Sequence, residues 1–87
     1  GHLETALLMF RERVALAPGT DIGRAWLAAT LGHLGEAEEA RRVWTALKEI
    51  NPSFDAAARF GRLPFADSSA VAKVVEGLTK AGLQVGP

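Results

Sequence analysis

The residues of this chain with the means to do chemistry are few: His2, His33, the pair Ser68-Ser69, the glycines of Leu31-Gly32-His33-Leu34-Gly35, and the acids Glu36, Glu38 and Glu39. A metal site needs several ligands that converge. The two histidines have no His-x-x-x-His or comparable spacing, so His33 reads as a partly exposed residue near a helix end. Ser68 and Ser69 have no histidine or lysine base tied to them by sequence, and they open a predicted helix, where serine serves as a cap. The glycine stretch lacks the strand before and the lysine after that a phosphate loop requires. It reads as a turn. Paired carboxylates can do acid–base work. Glu36, Glu38 and Glu39 instead sit at a helix start, where the dipole favours them and Arg41 and Arg42 follow. No reaction, no cofactor and no metal is expected of this chain.

Composition narrows the classes further. Eighty-seven residues, about half apolar, make one small domain with a modest core. Ten basic and ten acidic residues cancel. A neutral chain lacks the electrostatic footprint of a nucleic-acid binder and has no pull toward anionic lipid. There is no cysteine, which fits a reducing, cytoplasmic setting. No apolar run reaches the roughly 20 residues that span a bilayer, so no membrane insertion is expected. Gly1-His2 lacks the pattern of a signal peptide and is compatible with a tag remnant.

The elements that position these residues are helical throughout, since alternation and hairpin turns are missing. A first helix is expected from about Leu3 to Ala17, with Leu3, Ala6, Leu7, Phe10 and Val14 on one face and Pro18-Gly19 as its stop. Thr20 or Asp21 caps a second helix that runs to about Leu34 and ends at Gly35. It carries two apolar stripes: Leu27, Leu31 and Leu34 on one side, Ile22, Ala25, Trp26 and Ala29 on another. A helix apolar nearly all round is usually buried on more than one side. A third helix spans about Glu36 to Ile50, with Ala37, Ala40, Val43, Trp44, Leu47 and Ile50 inward. A short helix is expected from Ser53 to about Gly61, then an extended Leu63-Pro64. Asp67 or Ser68 caps a last helix to about Ala81, with Val71, Val74, Val75 and Leu78 on one face and Gly82 as its C-terminal cap. Gly77 inside it costs roughly 1 kcal/mol against alanine, which a close helix contact would explain.

Pro18 and Pro52 stand 34 residues apart, and at the same offset Ala6 maps onto Ala40 and Phe10 onto Trp44. That period is a helix-turn-helix signature. The segment from Asp21 to Phe54 resembles one complete tetratricopeptide repeat. Leu27 and Ala28 fit the large-small pair of its first helix, and Leu31 takes the place where tyrosine is usual. Gly35 fits the turn, Ala40, Trp44 and Leu47 the second helix, and Pro52 the close. Arg24 departs from the pattern, which often has tryptophan there. The segment 3–18 then looks like the second helix of a truncated repeat, 20–52 like the complete one, and 53–87 like a non-repeat C-terminal cap. A solenoid that began at 3 would expose a core face, so the chain is expected to be a C-terminal fragment of a longer protein. Leu63-Pro64-Phe65 and Glu76-Gly77-Leu78-Thr79-Lys80-Ala81-Gly82-Leu83 also resemble the end of tetratricopeptide regions in bacterial class III adenylate/guanylate cyclases.

The expected fold is therefore all-α: an antiparallel helix-hairpin stack of about five helices with a C-terminal capping helix. The resemblance implies a protein-interaction or self-association module, the C-terminal region of a larger bacterial signalling protein such as a nucleotide cyclase. Its groove would be lined by Ile22, Ala25, Trp26, Ala29 and His33. These positions are mostly small and apolar, and lack the basic and asparagine residues that clamp a peptide carboxylate. The partner would be a protein or peptide, another copy of the chain, or an upstream domain of the same polypeptide. Two other readings stand beside it. In one the chain is a purely structural cap whose tail covers that face. In the other it is a helical nucleic-acid module, which the neutral charge disfavours.

Overall fold

The computed structural model describes residues 2–62 and 68–85. These form five α-helices: α1 (His2–Leu16), α2 (Asp21–His33), α3 (Ala37–Ile50), α4 (Ala56–Gly61) and α5 (Ser68–Lys80). No strand occurs among the described residues. The expected extended Leu63-Pro64, the first part of the tail pattern, and Asp67 as a cap lie outside them.

Local chemistry sets the helix bounds. The Thr20 hydroxyl accepts the Gly23 N–H at 3.0 Å and starts α2. At its far end Gly35 has φ +81°, and the Glu36 N–H bonds back to Leu31 O while Gly35 N–H bonds to Gly32 O. That six-to-one and five-to-two pair is a Schellman cap, which needs a left-handed residue. Gly82 closes α5 in the same way: its φ is +76°, and the Leu83 and Gly82 N–H groups reach Leu78 O and Thr79 O. The fourth helix starts later than Ser53. Phe54 N–H bonds to Asn51 O to close a turn, and Asp55 caps α4 by accepting the Ala58 N–H at 3.1 Å.

The 34-residue period holds in the backbone. Ala17 N–H bonds to Arg13 O and Thr20 N–H to Ala17 O, and the same two bonds recur from Asn51 N–H to Leu47 O and from Phe54 N–H to Asn51 O. Pro18 and Pro52 thus occupy equivalent turns.

Helix α2 lies at the centre and packs against α1, α3 and α5. Its two apolar stripes enter two different clusters. Leu27 and Leu31 join Ala40 and Ala81, flanked by Leu7, Phe10 and Val14 of α1. Ala25, Ala28 and Ala29 join Trp44, Leu47, Phe54, Phe60, Val74 and Leu78. Of the expected inward face of α3, Ile50 stays exposed, while Ala40, Trp44 and Leu47 are buried. The Trp44 ring meets Phe54 edge-on at 5.9 Å, and Lys48 lies over it while donating to Phe54 O. Arg24 does not fill a core site. Its Nε and a terminal nitrogen both donate to Pro18 O, tying α2 to the turn that ends α1. Asp21 accepts from the Asn51 amide at 3.1 Å and faces Arg59 at 3.8 Å, so one carboxylate links the start of α2 to α3 and α4.

Helix α5 closes the structure. Val74 and Leu78 are buried against α2 and α4, and the Val85 carbonyl behind it accepts the Ala56 N–H at 3.0 Å. The chain therefore folds back on itself, with principal-axis extents of 27 × 26 × 25 Å.

Candidate functional site

Helices α1, α2 and α5 do not close completely over one another. An open cavity of about 550 Å³ remains between them. His2, Leu3, Ala6 and Phe10 line it from α1, Trp26, Ala29, Thr30 and His33 from α2, and Lys73, Val74 and Glu76 from α5. Six of these eleven side chains are apolar, so what the cavity offers is mainly a surface that excludes water.

Aromatic packing holds the floor. The Phe10 and Trp26 rings stack at 5.6 Å with planes 10° apart, and Phe60 and Trp26 meet edge-to-face at 4.8 Å. Such pairs add to simple burial and fix ring orientation. Helical geometry explains why Trp26 is available for this. It stands at the edge of the stripe it shares with Ile22, Ala25 and Ala29, half-buried, while its neighbours Ala25 and Leu27 are buried. Below it the Thr30 hydroxyl donates to Trp26 O at 2.9 Å, which satisfies a buried polar group inside the helix.

His33 is a polar part of the lining. Its Nε2 lies 2.7 Å from Lys73 O. A carbonyl can only accept, so Nε2 carries the proton and the ring bridges α2 to α5. Its Nδ1 faces Glu76 Oε1 at 3.8 Å, and Glu76 is also 3.5 Å from Lys80. Among the described residues no three His, Cys, Asp or Glu side chains gather closely enough to hold a metal ion. Ser69 is exposed at the start of α5. The three acids of α3 are dispersed: Glu38 lies 3.7 Å from Arg42, Glu39 pairs with Arg11 of α1, and Glu36 precedes the helix without a side-chain cap.

The five residues expected to line a groove divide into two groups. Trp26, Ala29 and His33 reach the cavity. Ala25 is fully buried, and Ile22 packs against the same core cluster without lining the cavity. The cause is α5, which lies along this side of α2 and narrows the open face to its α1 edge. Periodicity did not single out Ala6, Phe10 and Val74 as groove residues, because each also belongs to an inward helical stripe. The one available signal was the repeat itself, which makes Phe10 the counterpart of Trp44.

No protein-family model, curated protein or solved structure matches the chain. Among the described residues no helix is long and apolar enough to cross a membrane.

Proposed function

We propose that this chain is a protein-interaction module of the tetratricopeptide-repeat type, taking an apolar segment of a partner protein into the groove between α1, α2 and α5. One observation carries the reading: the cavity is open, largely apolar and floored by the stacked Phe10 and Trp26 rings, with His33 bridging α2 to α5 at its edge. Rigid aromatic rings that expose one face are favoured anchors for a binding partner. Regularity at 34 residues, repeated in the turns at Pro18 and Pro52, supports the family. The tail likeness to the ends of cyclase tetratricopeptide regions supports a parent among bacterial signalling proteins, a nucleotide cyclase being the case it resembles. The chain's part in that parent is to bind, not to catalyse.

Trp26 supplies the test. It is half-exposed in the groove, whereas Trp44 is buried, so a ligand in the groove shifts emission from Trp26 alone. A panel of amphipathic and extended apolar peptides is titrated against the protein and against Ala6→Glu, which sets a carboxylate at the mouth of the groove. Saturable shifts that Ala6→Glu weakens at least about tenfold, equivalent to about 1.4 kcal/mol, support the reading. A panel that leaves Trp26 emission unmoved defeats it.

A specific observation favours a second reading. Helix α5 packs along α2 over Ala25, and its own Leu78, with Ala81 just after it, is buried in that contact. In that reading the chain is a structural end-cap, and the residual cavity has no ligand.

A further inference from the structure

Helix α1 has two faces with different fates. Leu7, Phe10 and Val14 pack inward against the α2–α3 cluster, yet none of the fifteen residues of α1 is fully buried. On the outward side Met9 is 58% and Leu16 80% exposed. Together with Glu12, Arg13 and Ala17 they surround a second, shallow depression of about 340 Å³, separate from the groove. Residues 9, 12, 13 and 16 follow the i, i+3, i+4, i+7 spacing of one continuous helical stripe. Its ends are apolar and its middle carries one acid and one base.

We propose that this outward face of α1 is a self-association surface, on which a second copy of the chain lays its own α1 antiparallel. A two-fold axis lying beside α1, between the two copies and level with the midpoint of Glu12 and Arg13, sets Met9 against the partner's Leu16 and Glu12 against the partner's Arg13. The same operation sets Leu16 against the partner's Met9 and Arg13 against the partner's Glu12. Every side chain on the stripe meets a complementary one. A two-fold interface requires self-complementarity of this kind.

Two further observations select a second copy over another occupant. Glu12 and Arg13 make no ion pair among the described residues, whereas their neighbour Arg11 is doubly hydrogen-bonded to Glu39. Adjacent residues on a helix do not face each other, so the two cannot satisfy one another within one copy. The internal repeat also places Arg13 at the counterpart of Leu47, which is fully buried in α3. A wholly apolar helix laid on α1 as α2 lies on α3 would bury the Arg13 charge without a partner, at considerable cost. A second copy brings the carboxylate of Glu12 to that place. One helix against one helix covers less than the roughly 1,600 Å² of a standard stable interface, so association is weak and depends on concentration.

Sedimentation velocity on the 87-residue protein tests this, from about 10 μM to about 1 mM. The expected result is a reversible monomer–dimer equilibrium. Glu12→Arg and Arg13→Glu each place like charges across the axis and weaken dimerisation at least about tenfold. An equimolar mixture of the two variants restores it, because a pair of arginines in one copy then meets a pair of glutamates in the other. Both side chains are exposed, and circular dichroism verifies that each variant is folded. A strictly monomeric protein at the highest concentration overturns the proposal. So do single variants that dimerise as the natural protein does, which would put the contact elsewhere, the α1–α2–α5 groove included. Failure of the mixture to form a heterodimer overturns it equally.

Discussion

Gly32 of α2 lies directly against the backbone carbonyl of Gly77 in α5, and Gly77 in turn lies against the carbonyl of Ala29. The two helices approach so closely that neither position has room for a Cβ. Backbone, unlike a side chain, cannot rotate out of the way. Gly77→Ala therefore sets two effects against each other. Alanine gains roughly 1 kcal/mol of helix propensity. The collision with Ala29 O forces the helices apart and costs roughly 1–3 kcal/mol or more, as overpacking does. The steric effect wins, and we expect both Gly77→Ala and Gly32→Ala to lower the melting temperature. Gly19→Ala is the contrast, since nothing lies within 4 Å of its added Cβ and its φ is not left-handed. It is expected to be neutral or stabilising by about 0.4–1 kcal/mol. Thermal unfolding of the three variants decides the matter, and a rise for Gly77→Ala would refute the close crossing.

Ala40 and Trp44 test the α2–α3 hairpin from opposite directions. Ala40 has no exposed surface and touches the cluster of Leu27 and Leu31. Ala40→Leu should overpack that crossing and cost roughly 1–3 kcal/mol. Trp44 is 6% exposed and packs edge-on against Phe54. Trp44→Ala should leave a cavity and cost roughly 3–5 kcal/mol. Urea unfolding with an unchanged slope separates these stability losses from changes in the unfolded state. An Ala40→Leu protein as stable as the natural one would contradict the register.

The ion pair between Arg11 and Glu39 joins α1 to α3 with two short bonds, 2.9 and 2.7 Å. Both side chains are substantially exposed, at 46% and 33%. Solvent screening therefore limits their worth. Glu39→Gln is expected to destabilise by about 1 kcal/mol or less, with a loss that shrinks as salt is added. Denaturant titrations at low and high ionic strength read this directly.

Thr20→Ala removes the acceptor that holds Gly23 N–H at the start of α2. Because α2 contacts three other helices, fraying its first turn is felt throughout the fold. The expected cost is about 1 kcal/mol, and Thr20→Ser, which keeps the acceptor, should recover most of it. Equal losses in both variants would show that the methyl group rather than the hydroxyl matters.

Much of the architecture is legible in the residues because helix signals are local. Thr20, Pro18, Gly35 and Gly82 mark the bounds they were expected to mark, since a cap depends on the four or five residues around it. The two stripes of α2 pointed to burial on more than one side, and they enter two clusters. The start of α4 was less legible. Ser53 and Asp55 are both capping residues, and the choice falls to Asp55 because the turn at Pro52 is closed by Phe54.

Of the candidate groove, the sequence by itself determined one wall. Ile22, Ala25, Trp26, Ala29 and His33 share a helical face because 3.6 residues make a turn, whatever surrounds them. Tertiary structure alone decided which of them stay open. Helix α5 settles over Ala25, guided by the close approach at Gly32 and Gly77 and by the His33 bridge to Lys73 O. That leaves Trp26, stacked on Phe10 of α1, to line the cavity with Ala29 and His33. The physical reason lies in range. Periodicity and capping are written in neighbouring residues, whereas the docking of α5 rests on contacts some forty residues apart in the chain.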